Sequence, residues 1–415
     1  MATAAGRMPQ RIKKAAVVLF GLLIGCAAAE IGLRIAGYSY PLFYQPDPVR
    51  GYGGIPKNEG WSWPENKVYV TYNSEGFRDG EHTVEKPSGT IRVAVIGDSF
   101  TEGRQVPLEA TYWKVAEKLM AQEQGKPVEF LNFGVTGYGT ANELLTLRDR
   151  VWKYSPDVIV LGFCVYNDVT DNLAKFKGAS ETPYFRLDGD RLVLDDGFLR
   201  SKKYLRHDSV WFRAWTCIHN HSRLIQLLHH AQFALRTKIQ TIKEERKRAA
   251  AQPPGESSKK LPAHLSNAQL VDIVGLPNVL YREPDDIDWT TAWNVTDALV
   301  TQINAEVREH GSKFVLMTVT SDVQVAPDRG VREAMTEKLG VDDLYYPNRR
   351  LQMLAESLGF QFIDVGPPMQ SAAEKDGTFF HGFPADPGTG HWNEVGHEFA
   401  GKMLAAKLRE LIGTD

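Results

Sequence analysis

Residues 91–100 read Ile-Arg-Val-Ala-Val-Ile-Gly-Asp-Ser-Phe. An apolar run this short, closed by a glycine and a polar pair, predicts a strand covered on both faces that ends at a helix N-terminus. The pattern recurs at 128–131, 157–162, 314–319 and 360–365, and amphipathic stretches at 110–124, 141–154, 290–310, 348–358 and 394–411 alternate with the runs. Such alternation predicts a flavodoxin-like three-layer α/β/α sandwich around a parallel sheet of about five strands.

The chain has 415 residues, 43% hydrophobic and 24% charged, enough to bury a large core. With Lys+Arg at 48 against Asp+Glu at 51 the net charge is −3, so there is no bulk electrostatic case for nucleic acid as a partner. Cys26, Cys164 and Cys217 are too few and too scattered for a disulfide framework and contain no CxxC pair. His219, His221, His229 and His230 include no i, i+4 pair, so no metal site is expected. Gly134, Gly137 and Gly139 are spaced GxxGxG, which is not a dinucleotide fingerprint, and no cofactor is expected.

Residues 1–14 include Arg7, Arg11, Lys13 and Lys14, whereas 15–29 (AAVVLFGLLIGCAAA) are uncharged. A basic tail followed by an apolar segment at 15–35 predicts a single-pass signal anchor in a bacterial inner membrane, with the N-terminus cytoplasmic and the body periplasmic. Two alternatives stay open: a cleaved secretory signal ending near Ala27-Ala28-Ala29, and a lipoprotein at Cys26, since Leu23-Ile24-Gly25-Cys26 resembles a lipobox. Residues 36–90, rich in Gly, Pro, Tyr and Trp, read as a juxtamembrane extended arm docked on the body. The body spans 91–412 and is interrupted by an insertion at 172–286. That insertion opens with a hairpin around Asp188-Gly189-Asp190, continues as a helical segment at 209–235, and reaches a stretch at 243–260 whose mixed charge and Pro/Gly/Ser content predict a solvated helix end and then a flexible loop. Trp211, Phe212 and Trp215 read as packing or, if that helix lies beside a membrane, as an interfacial face.

Four loops carry residues suited to chemistry. Ser99 stands at the tip of the first strand beside a helix N-terminus, the placement of a nucleophile, although Asp98 or Ser99 would serve equally as a helix cap. Gly134, directly after the second strand, lets a backbone N–H approach a ligand, or simply turns the chain. Asn167 ends the third strand in Val165-Tyr166-Asn167-Asp168 and can point an amide at the same place, or form a turn. His391 precedes the last helix, which Asn393 can cap, and His397 lies one turn inside it, where packing or solvent exposure is the usual role.

Together these positions resemble the signature of the SGNH (GDSL-like) hydrolase superfamily, with Ser99, Gly134, Asn167 and His391 in the matching order. The segment Asn73-Ser74-Glu75-Gly76-Phe77-Arg78-Asp79 is similar to the approach segment of membrane-anchored bacterial members. The resemblance covers roughly 91–170 and 290–412. It implies Ser99 as nucleophile, His391 as base, and an oxyanion hole of the Ser99 and Gly134 N–H groups with the Asn167 amide. It also implies carbohydrate- or lipid-borne acyl groups, O-acetyl on a polysaccharide first, as substrates. Two positions depart from the family: Val165 stands where it has Gly, and Gly388 where it often has the Asp that orients the base. Asp386 is the nearest substitute for that acid; a backbone carbonyl and a Ser-His dyad stay open. Hydrolase and O-acetyltransferase use the same residues, and a non-catalytic membrane-tethered binding or assembly protein keeps the fold without turnover. Ester turnover should nearly vanish in Ser99→Ala and His391→Ala and fall on the order of 100-fold in Asn167→Ala; full hydrolysis by Ser99→Ala would contradict the assignment.

Overall fold

The computed structural model describes residues 9–121, 127–251 and 265–413. The chain divides into two units, one made of 1–42 with 210–258 and the other of 43–209 with 259–415.

In the first unit, helix α1 (Gln10–Ile35) contains an 18-residue stretch with a mean hydropathy of 2.2 and buries none of its residues. It is long and apolar enough to cross a membrane or to act as a signal sequence. Near its end Glu30 accepts hydrogen bonds from Ser222 Oγ (3.0 Å) and from the N–H groups of Arg223 (3.0 Å) and Leu224 (2.9 Å). The carboxylate thereby satisfies donors that the start of helix α3 (Arg223–Ala251) leaves without intrahelical partners. Helix α2 (Val210–His221) ends at the same place, where Arg34 donates to the His221 carbonyl at 2.5 Å. Leu42 exchanges hydrogen bonds with the Asn220 amide, and the Tyr40 N–H donates to Gln226. The helical segment expected at 209–235 is therefore two helices broken at Ser222. The helix end expected from 243 is the C-terminal part of α3, which runs through Ala251, and the loop expected after it, 252–260, lies outside the described residues.

The second unit is built on five parallel strands: β1 (Ile91–Gly97), β2 (Val128–Asn132), β3 (Val158–Cys164), β4 (Lys313–Val319) and β5 (Gln361–Ile363). Their order is β5-β4-β3-β1-β2, the flavodoxin-like arrangement. Successive side chains point to opposite faces. Val93, Val95, Val160 and Met317 pack with Trp113, Met120, Met369 and Leu404, while Ala94, Ile96, Leu161 and Leu316 pack with Trp293, Leu299, Ile303 and Leu351. Helices thus cover both faces, and this is why the strands read as unbroken apolar runs.

Some elements differ from expectation. The helix expected at 141–154 is regular only over Thr140–Thr146, then loosens and closes at Ser155, whose φ is +49°. Helices Arg329–Leu339 and Gly366–Asp376 carry no signal recognised in the sequence. The stretch 172–286 is divided: 210–258 belong to the first unit, and its flanks, including the hairpin Tyr184–Asp188 with Arg191–Asp195, belong to the second.

Residues 43–71 form two hairpins, Tyr44–Asp47 with Gly51–Gly54 and Glu59–Ser62 with Val68–Thr71. The segment that follows ties them to the sheet edge. Arg78 is buried and donates to the carbonyls of Glu102 (2.9 Å), Gly103 and Val106 (2.6 Å); Asp79 accepts the Asn132 N–H (2.9 Å); Phe77 packs edge-on against Phe133. Gly76 has φ +81°, and a Cβ there would lie 2.2 Å from the Gly54 carbonyl oxygen, so only glycine fits.

Among the described residues of this unit, two histidines are buried. His397, in the last helix α4 (Glu394–Ile412), accepts the Tyr112 N–H at 3.2 Å. Burial, with the nearby charge of Arg78, lowers its pKa to about 3, and burial lowers that of His381 to about 4 against the raising effect of the Gly390 carbonyl. Both stay neutral where an unfolded histidine, with pKa about 6.5, binds a proton. Their stabilising contribution is therefore complete above about pH 6.5 and declines as pH falls toward the folded-state values. The unfolding free energy should decrease steadily on acidification, and His397→Gln should flatten the slope by ~1.4 kcal/mol per pH unit. A slope unchanged by that substitution, measured by denaturant titration, would contradict this.

Candidate active site

β1 ends at Gly97, where a Cβ would meet Thr101 Oγ1 at 2.2 Å; its absence lets the helical turn Ser99–Glu102 fold back over the strand. Asp98 caps that turn by accepting the Phe100 N–H (2.9 Å), and Gly103 closes it at φ +64°. Ser99 is left at the carboxyl edge of the sheet, where ligands bind in open α/β folds.

His391 arrives on the strand Asp386–Trp392, which pairs with His381–Phe383, immediately before α4. Asn393 caps α4 by accepting from the N–H groups of Val395 (3.0 Å) and Gly396 (3.1 Å). Beneath the loop Trp392 is buried and donates to Thr320 Oγ1 (2.8 Å). Buried His381 places one ring nitrogen 3.0 Å from that hydroxyl and the other 2.6 Å from the Gly390 carbonyl oxygen. A neutral imidazole meets both needs, donating to the carbonyl and accepting from the hydroxyl. The Phe100 ring lies 4.8 Å from the His391 ring and 5.3 Å from that of Trp392.

The consequence is a continuous chain of polar contacts. His391 Nε2 lies 2.8 Å from Ser99 Oγ, and Nδ1 lies 2.6 Å from Glu65 Oε1; the His391 backbone N–H also donates to Glu65 Oε2 (3.0 Å). Glu65 stands at the tip of the hairpin Glu59–Ser62 with Val68–Thr71, with φ +60°. That is the left-handed region, costly by roughly 1 kcal/mol or more for a residue other than glycine. Asn66 pins the tip by donating to the Gln105 carbonyl (2.9 Å), and the Lys67 ammonium lies 4.5 Å and 4.7 Å from the ring centroids of Trp61 and Trp63. Burial pushes the Glu65 carboxyl up, but its hydrogen bonds to His391 and the charge there outweigh this and hold it below the usual carboxylate range.

Asp386 does not meet His391; its carboxylate accepts the Thr389 hydroxyl at 2.7 Å. The segment between them is not regularly extended, since Gly388 and Gly390 have φ +87° and +78° and the pairing shifts register at His381/Gly382. Gly388 has φ +87°, and a Cβ there would lie 2.8 Å from the Phe379 ring, so this hairpin has no room for an orienting aspartate at that position. The orienting place is taken by Glu65.

Of the expected oxyanion donors, Asn167 donates one amide hydrogen to Asp98 Oδ2 (3.1 Å), which is itself 3.5 Å from Ser99 Oγ. Burial raises the Asp98 carboxyl, opposed by its bonds from Phe100 and Asn167. The Gly134 N–H, by contrast, donates to Asn132 Oδ1 at 2.8 Å. What requires glycine at 134 is closeness, since a Cβ there would stand 2.7 Å from Glu102 N and Thr101 Cβ. Val165, the other departure from the family pattern, is buried and donates its N–H to the Val319 carbonyl, continuing the sheet edge. Among the described residues no group of three or more His, Cys, Asp or Glu is arranged to hold a metal ion.

No protein-family model matches the sequence, and no curated protein matches it. Among solved structures, the chain is similar to an acetyl xylan esterase at 11% identity and TM-score 0.37, covering 77% of this chain and 100% of that one. It is similar to a catalytic mutant of an acetylxylan esterase from Geobacillus stearothermophilus at 10% identity and TM-score 0.37, covering 77% and 94%. A third is an alpha/beta hydrolase enzyme from the metagenome of Lake Arreo, Spain, at 13% identity and TM-score 0.34, covering 76% and 94%.

The contrast between the two carboxylates is directly testable. Glu65→Gln should slow the reaction of Ser99 with a fluorophosphonate by on the order of 100-fold or more, because the imidazole loses its orienting acceptor. Asp386→Asn should react at the wild-type rate. The reverse ranking, read by intact mass against time, would contradict the geometry.

Proposed function

We propose that this chain is a serine-dependent hydrolase of carboxylic esters that works through an acyl-enzyme. The observation that carries the reading is the unbroken sequence Ser99 Oγ, His391 Nε2, His391 Nδ1 and Glu65 Oε1, with spacings of 2.8 Å and 2.6 Å at its two hydrogen bonds. Glu65 accepts the Nδ1 proton and so leaves Nε2 free as a base. His391 takes the Ser99 proton as Oγ attacks the ester carbonyl, then gives it to the departing alcohol. Water then gives a proton to the same nitrogen as its oxygen attacks the acyl carbonyl, and that proton passes to Ser99 Oγ as the acid departs. The developing oxyanion lies toward the Ser99 N–H at the helix start and the Asn167 amide, whose Nδ2 has a second hydrogen beyond the one held by Asp98. Gly134 joins them only by releasing Asn132 Oδ1.

The substrate class is acyl groups on carbohydrates or lipids, O-acetyl in the first instance, and the body lies outside the cytoplasm, behind the basic tail and α1. The His391 and Glu65 side chains keep 24% and 33% of their surface exposed, which gives water a route to the acyl-enzyme. A non-catalytic scaffold has no use for a nucleophile, base and acid in hydrogen-bonded register.

Acetylated xylo-oligosaccharides and 4-nitrophenyl acetate test the reading. Release of acetate by the wild type, with acetyl-Ser99 trapped at low pH and absent from Ser99→Ala, is the expected result. Acetyl transfer to an added sugar at the expense of free acetate would reassign the enzyme as a transferase. No acyl-enzyme on any ester would overturn the proposal.

A further inference from the structure

The amphipathic pattern of α2 is inverted. His219 is buried, and Asn220 and the His219 carbonyl are engaged with Leu42 and Gln226, so the polar side of the helix faces its own unit. The exposed side presents Val210 (79% exposed), Trp211 (86%) and Ile218 (53%) at helical spacing, with Trp215 (46%), one turn before His219, at its edge. A helix in contact only with water has no reason to bury histidine and display two tryptophans, and an exposed aromatic patch of this kind marks a contact surface.

The occupant of that surface is indicated by where α2 ends. Its last carbonyl, on His221, accepts from Arg34, and the next residues are held by Glu30; both partners belong to the final turns of α1. Glu30 and Arg34 are the first charges after the apolar stretch 15–29, so they mark where a spanning α1 leaves the hydrocarbon. α2 is thus fastened at the level where tryptophan side chains anchor proteins to a bilayer. We infer that α2 lies on the membrane surface, with Val210, Trp211, Trp215 and Ile218 seated among the lipids at the end of α1. The occupant is the bilayer that holds α1, not a second protein.

The test uses the full chain carrying Cys26→Ser and Cys217→Ser, reconstituted in vesicles of phosphatidylethanolamine and phosphatidylglycerol. A nitroxide is attached at Ile218→Cys or, as a water-exposed reference, at Arg200→Cys, and circular dichroism checks that both variants retain the wild-type fold. Seating in lipid predicts that the label at 218 collides more with oxygen than with a nickel chelate, and that the label at 200 shows the reverse. Quenching of tryptophan fluorescence by brominated lipids should fall in Trp211→Ser/Trp215→Ser. Equal accessibility at 218 and 200 would overturn the inference. So would spin–spin broadening at 218 that disappears on dilution with unlabelled chain, which would place a second copy on the face, or an intact mass showing that α1 has been removed.

Discussion

Glu102, three residues after Ser99, has no exposed surface, yet its carboxylate is surrounded by donors. Tyr44 donates at 2.6 Å, the Thr136 N–H at 2.7 Å, the Tyr72 and Thr136 hydroxyls complete the set, and the Arg104 guanidinium stands 3.8 Å away. Taking a carboxylate out of water is costly, and hydrogen bonds of this number to a charged acceptor offset that cost only while all are made. Two of the donors, Tyr44 and Tyr72, come from the arm, Thr136 comes from the loop after β2, and Arg78 grips the Glu102 carbonyl. The arm, the loop after β2 and the Ser99–Glu102 turn are therefore one polar structure, with the Glu102 carboxylate at its centre.

That linkage explains how a residue in a surface hairpin can serve the site. Glu65 is held at φ +60° on a tip whose base is fixed by Tyr72 and the small core of Phe43, Val68 and Val70, and whose side is fixed by Asn66. Strain of about 1–3 kcal/mol persists only where surrounding contacts over-determine the conformation, and here they do. His391 is prepared from the other side by Trp392, Thr320 and neutral His381. The two halves meet at Glu65 and His391, which share two hydrogen bonds although they stand 326 residues apart in sequence.

What the sequence discloses follows from this. Strands buried on both faces leave apolar runs, so the sheet and its order of elements are legible, as are Ser99, Asn167 and His391, which follow or precede those elements directly. Gly134 is legible as a required glycine, but its reason is packing against Thr101 and Glu102, which no local pattern reveals. The orienting acid is not legible. The sequence offers Asp386 by proximity, but its carboxylate is bonded to Thr389 in a hairpin kinked at Gly388 and Gly390, and Glu65 sits in a Trp-Pro-Glu-Asn turn with no periodicity and no motif. The one signal available was Gly388 itself, a residue without a carboxylate where one is expected, which says that the acid must come from elsewhere. The division of 172–286 between the two units was hidden for a similar reason, since Glu30 and Arg34 choose their partners nearly two hundred residues away.

The central claim is that Glu65 holds the Nδ1 proton of His391. The most direct measurement is the proton NMR spectrum of the imidazole N–H region. A strongly hydrogen-bonded His391 Nδ1–H resonance, far downfield, should be present in the wild type and in Asp386→Asn and absent from His391→Gln and Glu65→Gln. Its survival in Glu65→Gln, or its loss in Asp386→Asn, would contradict the claim.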